Sequence, residues 1–265
     1  MPAASGPLVW SFAALTVLVA GSVPAALAWV AGREGRAPAE RRRLVARGAL
    51  AAGGWLAITG SAAAAGALRF EGRPPTIVLL LLVSAALTFA LAGGPIGARL
   101  AMGLPLPVLV GFQAFRIPVE LLLDRAAREG LAPVELTYRG RNVDVITGVA
   151  ALLLAGLLAG RCLPRPYVRR AVLAWNALGS VLLLNVVAVA VLAAPGPLHL
   201  IDTTPPNVWI ADAPWVWLPT VLVVAGAAAH AMVFRRVARW PVRHRGQRRC
   251  DAPGPGRARR ADREK

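Results

Sequence analysis

The sequence predicts an all-α fold, a polytopic transmembrane helix bundle of seven spans with its N-terminus outside and its C-terminus inside. Three observations predict it. Hydrophobic residues make up 57% of the 265 and mean hydropathy is +0.57, above the roughly 45–50% apolar usage of soluble domains. Apolar runs recur at about twenty residues, the length that crosses about 30 Å of hydrocarbon. Basic residues gather between alternate runs: of 30 Lys and Arg, 23 fall in segments assigned to the inside and six in segments assigned to the outside. That asymmetry is what orients membrane helices.

A net charge of +17 in a soluble chain would suggest nucleic acid. Here the arginines flank apolar runs or crowd the C-terminal tail. The partners expected are therefore the lipid bilayer and anionic lipid headgroups, met by the basic tail and loops, and no nucleic acid.

The first run is 8–31. Ala26-Leu27-Ala28 resembles a signal-peptidase site, but no basic region precedes the run and it continues to Ala31. A retained span is expected. Residues 33–47 carry six arginines and two glutamates, the first strong inside signal. The second span, 48–68, is rich in Ala and Gly; Gly53, Gly54, Gly60 and Gly66 leave thin faces for neighbouring helices. The turn 69–75 ends in two prolines, which suit a helix start. The third span, 76–93, stops at Gly93-Gly94-Pro95, and a loop whose one charge is Arg99 leads to Pro105 and Pro107.

Residues 106–124 contain Arg116 and Glu120 and are compatible with either a span or an interfacial helix. Parity decides for a span, because the third span and the fifth (143–160) run in the same direction and one crossing must lie between them. RCLPRPYVRR then supplies four arginines on the inside. The sixth span, 171–194, leads to a loop with two aspartates and no Lys or Arg, as expected outside. Trp209, Trp215 and Trp217 are expected to form an aromatic belt at the outer face. The seventh span, 215–234, contains Pro219, which is expected to kink it. Residues 1–237 thus form the bundle, and 238–265 a basic, disordered cytoplasmic tail. Cys162 and Cys250 are too isolated for a disulfide framework or a zinc site.

The polar residues inside these runs are the candidates for function. Gln113, Arg116, Glu120 and Asp124 are spaced three, four and four apart and fall within about 80° of one another on a helix. Arg116 and Glu120 can pair across one turn. Pro118 frees the carbonyl of Ala114 and is expected to kink the helix. A charge at mid-membrane costs at least about 2.5–3.5 kcal/mol, so such residues face the bundle interior or water. Three readings stay open: a packing ion pair, a binding or conduction site, and an interfacial helix. Topology brings Asn142 and Asp144 to the depth of Glu120, although Asp144 also suits a helix N-cap. Asn185 is the expected partner of Glu120 from the sixth span. Asn176 lies about 180° away from it and is expected to bridge helices, as is His230.

The candidate binding residues are therefore Gln113, Arg116, Glu120, Asn142, Asp144 and Asn185, with Trp175, Asn176 and His230 secondary. No catalytic set, metal site or cofactor is expected. No span holds a lysine for retinal, His230 is the one span histidine available to haem, and no GxxxxGK[ST], HExxH or GxSxG is present. The balance leans away from an enzyme.

The stretches GFQAFRIPVELLL, TYRGRNVDVITG, WNALG…LLLN and VWLPT resemble a family of uncharacterised bacterial integral membrane proteins with F-R-x-x-x-E, E-G-x-N-x-D-I and W-N-x-x-G patterns. The resemblance runs from Gly111 to Val224. Arg139 stands where the pattern has an acidic residue before the glycine. The resemblance implies a multi-span fold in the bacterial cytoplasmic (inner) membrane, supplies no activity, and singles out Arg116, Glu120, Asn142, Asp144, Trp175 and Asn176. Two functions follow as expectations. One is a small transporter, channel or sensor with a polar site in the outer half of the bundle, taking a small-molecule or ion ligand. The other is a structural or assembly protein in which Arg116–Glu120 is a packing ion pair.

Overall fold

The structure is a computed structural model and describes residues 3–71, 75–196 and 198–240. Among these residues the regular structure is helical throughout. In chain order the helices are α1 (Gly6–Arg33), α2 (Pro38–Ala64), α3 (Thr76–Gly93), α4 (Pro95–Gly103), α5 (Leu106–Gly111), α6 (Arg116–Arg128), α7 (Val145–Ala159), α8 (Arg165–Ala193) and α9 (Val223–Ala238). Five stretches are long and apolar enough to cross a membrane: α1, α3, the continuous helix Leu106–Arg128, α8, and Leu218–Ala238. This is the pattern of an integral membrane protein. Two expected spans fall on other kinds of helix. α7 is apolar but has 15 residues. α2 is longer than expected but begins inside the arginine-rich segment, which is helical rather than a loop.

Local sequence accounts for most boundaries. Proline opens α1, α2, α4, α5 and α8 within their first two positions, where a missing N–H costs no helical hydrogen bond. The expected loop around Arg99 instead forms the nine-residue α4, and Arg99 reaches back 3.3 Å to Glu34 at the end of α1. Pro118 lies just after a 3-10 turn, Phe112–Phe115, which joins α5 to α6 without ending the helix. Pro219 lies in a π-helical turn, Leu218–Leu222, so the expected kink is a local widening. The carbonyl of Thr220 in that turn accepts the Trp55 indole N–H (2.9 Å), and the Trp217 indole donates to the carbonyl of Leu56 (3.1 Å). Those two bonds fasten α2 to the last helix.

The last helix is the axis of the molecule. Half of its most apolar window is buried, against 17% for α3, and α9 packs on α3, α4, α5 and α8. One end of the bundle gathers Ala4, Phe70, Leu131 and Trp209 into a single apolar cluster. The other gathers Leu104, Leu158, Val168 and Trp240. There the arginines of α9 cap neighbouring helix ends: Arg235 donates to the carbonyls of Ala92, Gly93 and Gly94, and Arg236 to those of Ala101 and Met102. Apart from Gly94, whose carbonyl also accepts the Ala98 N–H (3.1 Å), these carbonyls lie at helix C-termini, where a cation is what their dipoles favour.

The expected aromatic belt is corrected. Trp209 and Trp215 are buried and pack at a tilt with centroids 5.3 Å apart, and Trp215 meets Phe12 of α1 edge-on at 5.0 Å. The loop after α8 folds inward because Asn207 donates to the carbonyl of Ala190 (2.8 Å) and accepts the Trp209 indole N–H (3.0 Å). A satisfied indole belongs in a core as readily as at an interface. The exposed indoles are Trp10 and Trp29 on α1. Cys162 is free and exposed; Cys250 and the tail from residue 241 lie outside the described residues.

Glu129, just past α6, accepts both the hydroxyl (2.7 Å) and the backbone N–H (2.8 Å) of Ser5, tying the start of α1 to that end. Those bonds, the Ser5 hydroxyl foremost, hold its carboxyl at about 2. The folded value is depressed, so the tether is complete above the ordinary carboxylate range and is lost as pH falls from about 4.5 through 2. Ser5→Ala should move the Glu129 titration upward towards 4.5, followed by carboxyl NMR; an unmoved titration would remove the tether.

Candidate functional site

Where α6, α7 and α9 meet, the bundle buries a connected set of polar side chains. The polar stripe of the fourth expected span supplies Gln113, Arg116, Glu120 and Asp124, all buried, as helical spacing requires. The α6–α7 loop folds back over them. Gly140 permits its turn, because a Cβ there would sit 2.3 Å from the carbonyl of Val134. Asn142 then donates to Glu120 Oε1 (2.8 Å) and to the carbonyl of Leu136 (3.0 Å), while its Oδ1 accepts the backbone N–H of Asp144 (3.0 Å). One amide thereby sets both the loop and the Glu120 carboxylate.

Arg116 is held from three sides. Its Nη1 pairs with Asp144 Oδ2 at the start of α7. Its Nε donates to Gln113 Oε1 (2.9 Å), and Gln113 Nε2 donates to the carbonyl of Gly226 on α9 (2.9 Å). The guanidinium lies over Gly226 itself, where a Cβ would come within 2.8 Å of Nη2. Asp144 Oδ1 accepts the hydroxyl of Thr147 (3.0 Å). A second bridge lies beside this one. Asn176 of α8 donates to the carbonyl of His230 (3.1 Å), its Oδ1 meets His230 Nδ1 (2.8 Å), and the Trp175 indole donates to the carbonyl of Thr147 (3.2 Å).

Three sequence expectations are corrected. Arg116 pairs with Asp144 and not with Glu120: a contact across the loop aligns the guanidinium with a carboxylate, whereas Glu120 one turn away is taken by Asn142. Asn185 does not reach Glu120 but donates to the carbonyl of Arg141 (2.8 Å), away from the buried set. Asp144 occupies the N-cap position of α7 without capping it, since its carboxylate is used by Arg116 and Thr147. Asp124 belongs to a separate ion cluster, paired with Arg128 (2.8 Å) and Arg139. The arginine that departs from the resembled pattern therefore has a carboxylate partner here.

The buried set forms the floor of a cavity of about 520 Å³, a volume in the range of small-molecule sites. Its walls are apolar and come from α3, α6, α8, the last helix and the segments just before α3 and α6, including Phe70, Leu81, Phe115, Val187 and Leu222. Arg116, Glu120 and Asp144 are the ionisable residues that line it. The exposed Val78, Phe89 and Leu198 form part of its rim, so it opens through the apolar flank of the bundle. Within the floor, Arg116 Nη2 and Glu120 Oε2 are buried and have no hydrogen-bond partner among the described residues, nor does His230 Nε2 beside it. No group of three or more metal-binding side chains occurs among the described residues.

Sequence reasoning missed Thr147, Gly226 and the cavity. Thr147 was findable as the residue three after Asp144, one turn along the helix. The other two carry no polar signal, being a glycine in an alanine run and a wall of ordinary apolar residues. Comparison of the chain with protein-family models, with curated proteins and with solved structures finds no match in any of the three.

Removing one partner of a buried pair strands the other. Asp144→Ala should lower unfolding stability by about 3–5 kcal/mol in detergent, and the double replacement Arg116→Met with Asp144→Leu should cost less than Asp144→Ala alone. If the double variant costs as much as the two single variants added together, the pair is not coupled. Gly226→Ala should cost about 1–3 kcal/mol by displacing the pinned guanidinium, read in the same unfolding curves.

Proposed function

We propose that the chain is a seven-span protein of the bacterial cytoplasmic membrane, N-terminus outside and C-terminus inside, that binds a small amphipathic molecule in the flank cavity for transport or sensing. The observation that carries the binding role is the juxtaposition of an apolar cavity of about 520 Å³ with the Glu120 and Arg116 floor. Ionisable groups inside a membrane bundle mark ligand or ion sites more often than they decorate packing.

Several features support the topology. Ser5 touches Glu129, and Phe70 packs with Leu131 and Trp209, which supports a common end for the segments assigned outside. Glu34 meets Arg99, Arg235 meets Gly94, and Leu106 lies near Arg165, which gathers segments assigned inside at the other. The positions singled out by the family resemblance, Arg116, Glu120, Asn142, Asp144, Trp175 and Asn176, fall within the buried polar set or its neighbouring bridge.

The structural reading attaches to part of this set alone. Arg116–Asp144, with Gln113 and Thr147, is bonded on most sides and spans three helices, which favours a brace. Glu120 lines the cavity and keeps one oxygen without a hydrogen-bond partner among the described residues, which favours a site. Brace and site are then adjacent but separable.

Two outcomes are expected. In a background lacking Cys162 and Cys250, single cysteines at 141 and 198 should react with an impermeant maleimide on intact cells, and those at 35 and 161 only after permeabilisation; labelling of both pairs from one side would overturn the topology. In purified protein, at least one of decylamine, decanol and decanoate should raise the melting temperature, and Val187→Trp should abolish that shift while leaving the unliganded melting within about 2 °C, since the cavity wall has room for a larger side chain. A shift that persists with the cavity filled would place binding elsewhere.

A further inference from the structure

Resting on that cavity as a binding site, we propose that its ligand is a lipophilic cation, with the apolar body among the cavity walls and the positive centre at Glu120 Oε2.

Charge counting comes first. The floor holds two carboxylates, Glu120 and Asp144, against one guanidinium. Arg116 and Asp144 are directly paired, and the next acid along the stripe, Asp124, is matched by Arg128 and Arg139. Among the described residues Glu120 therefore has no cationic partner, and Asn142 satisfies only its Oε1. It is 2% exposed, and a carboxylate so buried is costly unless a positive charge or donor meets it. An anionic head would face two carboxylates with one guanidinium already engaged by one of them. A cation completes the balance.

The walls point the same way. Three phenylalanines, Phe70, Phe89 and Phe115, line the cavity, and aromatic faces attract cations that are weakly hydrated. Glu120 lines the cavity and its Oε2 has no hydrogen-bond partner among the described residues, while the guanidinium Nη2 lies over Gly226 on α9. The positive centre thus has a place that is not shared with Arg116. A compact hydrated ion finds little here, because most of the lining is hydrocarbon and replaces none of its water. A cation with its charge buried in an apolar shell loses least on entering, and the opening on the bundle flank admits it from the bilayer.

The test uses tetraphenylphosphonium, radiolabelled, in equilibrium dialysis against the full-length protein in detergent. Wild type should bind it saturably, and tetraphenylborate, an anion of the same shape, should not compete. Loss of a charge-assisted contact of about 1.5–3 kcal/mol corresponds to a roughly tenfold to hundredfold weaker Kd, expected for Glu120→Gln, which keeps the oxygen that Asn142 uses. Glu120→Asp should retain most of the affinity, and Phe115→Leu should weaken it by about threefold. Val187→Trp separates the two claims. If tetraphenylphosphonium binding survives Glu120→Gln but is lost in Val187→Trp, the cavity stands and the cation assignment falls. The same holds if tetraphenylborate competes, or if decanol or decanoate binds and tetraphenylphosphonium does not. Binding that survives both substitutions overturns both claims.

Discussion

A guanidinium enclosed in hydrocarbon must have a counter-charge, and the pairing of Arg116 with Asp144 is the constraint on which the centre of this bundle depends. It joins α6 to the start of α7, and through Gln113 it reaches the backbone of α9. Each element on this route is shaped for it. Gly226 has no side chain where the guanidinium lies, and Gly140 lets the connecting loop turn tightly enough to deliver Asn142 and Asp144. A misplaced α7 would strand a charge at a cost of several kcal/mol, so the ion pair selects one arrangement of three helices among those that apolar packing alone would tolerate.

Next to this closed pair lies an open one. Glu120 is held by a single amide on one oxygen; the other has no hydrogen-bond partner among the described residues, and the residue lines the apolar cavity. The contrast separates two roles that a motif of alternating charges would merge. Arg116 and Asp144 neutralise each other and hold helices in place; Glu120 is positioned by Asn142 but not neutralised by it. The cavity exists because α3 and α8 both pack on the last helix and leave the space between them to apolar side chains. Its flank opening suits a molecule that already resides in lipid.

The periphery uses a different device. Two indoles exchange hydrogen bonds with main-chain carbonyls between α2 and the π-helical turn at Pro219, and two arginines of α9 satisfy the last carbonyls of α3 and α4. Such bonds add fixed points between helices that otherwise meet through apolar side chains. They also join α2, which packs chiefly on α1, to the last helix.

The helical class and the places of the five long apolar helices were legible in the chain, because apolar run length and proline position act locally, whereas α4 and the shortness of α7 were not. So was the buried face of α6, since the 3.6-residue period places Arg116, Glu120 and Asp124 on one side, and the 3-10 turn before it keeps Gln113 buried with them. Partners were not legible. Helical spacing offered Glu120 to Arg116, and only the folded loop showed Asp144 and Asn142 to be closer, because contacts across 22 to 28 residues depend on how a turn bends. Trp209 and Trp215 read as interfacial by type but are core residues, since Asn207 and the inward path of the loop satisfy them. The sequence by itself determined an apolar helical protein with a charged stripe in its fourth apolar run. Tertiary structure alone decided which charges cancel, which one is left at the cavity floor, and that a cavity is there at all, because empty space between helices is a property of their packing and has no residue of its own.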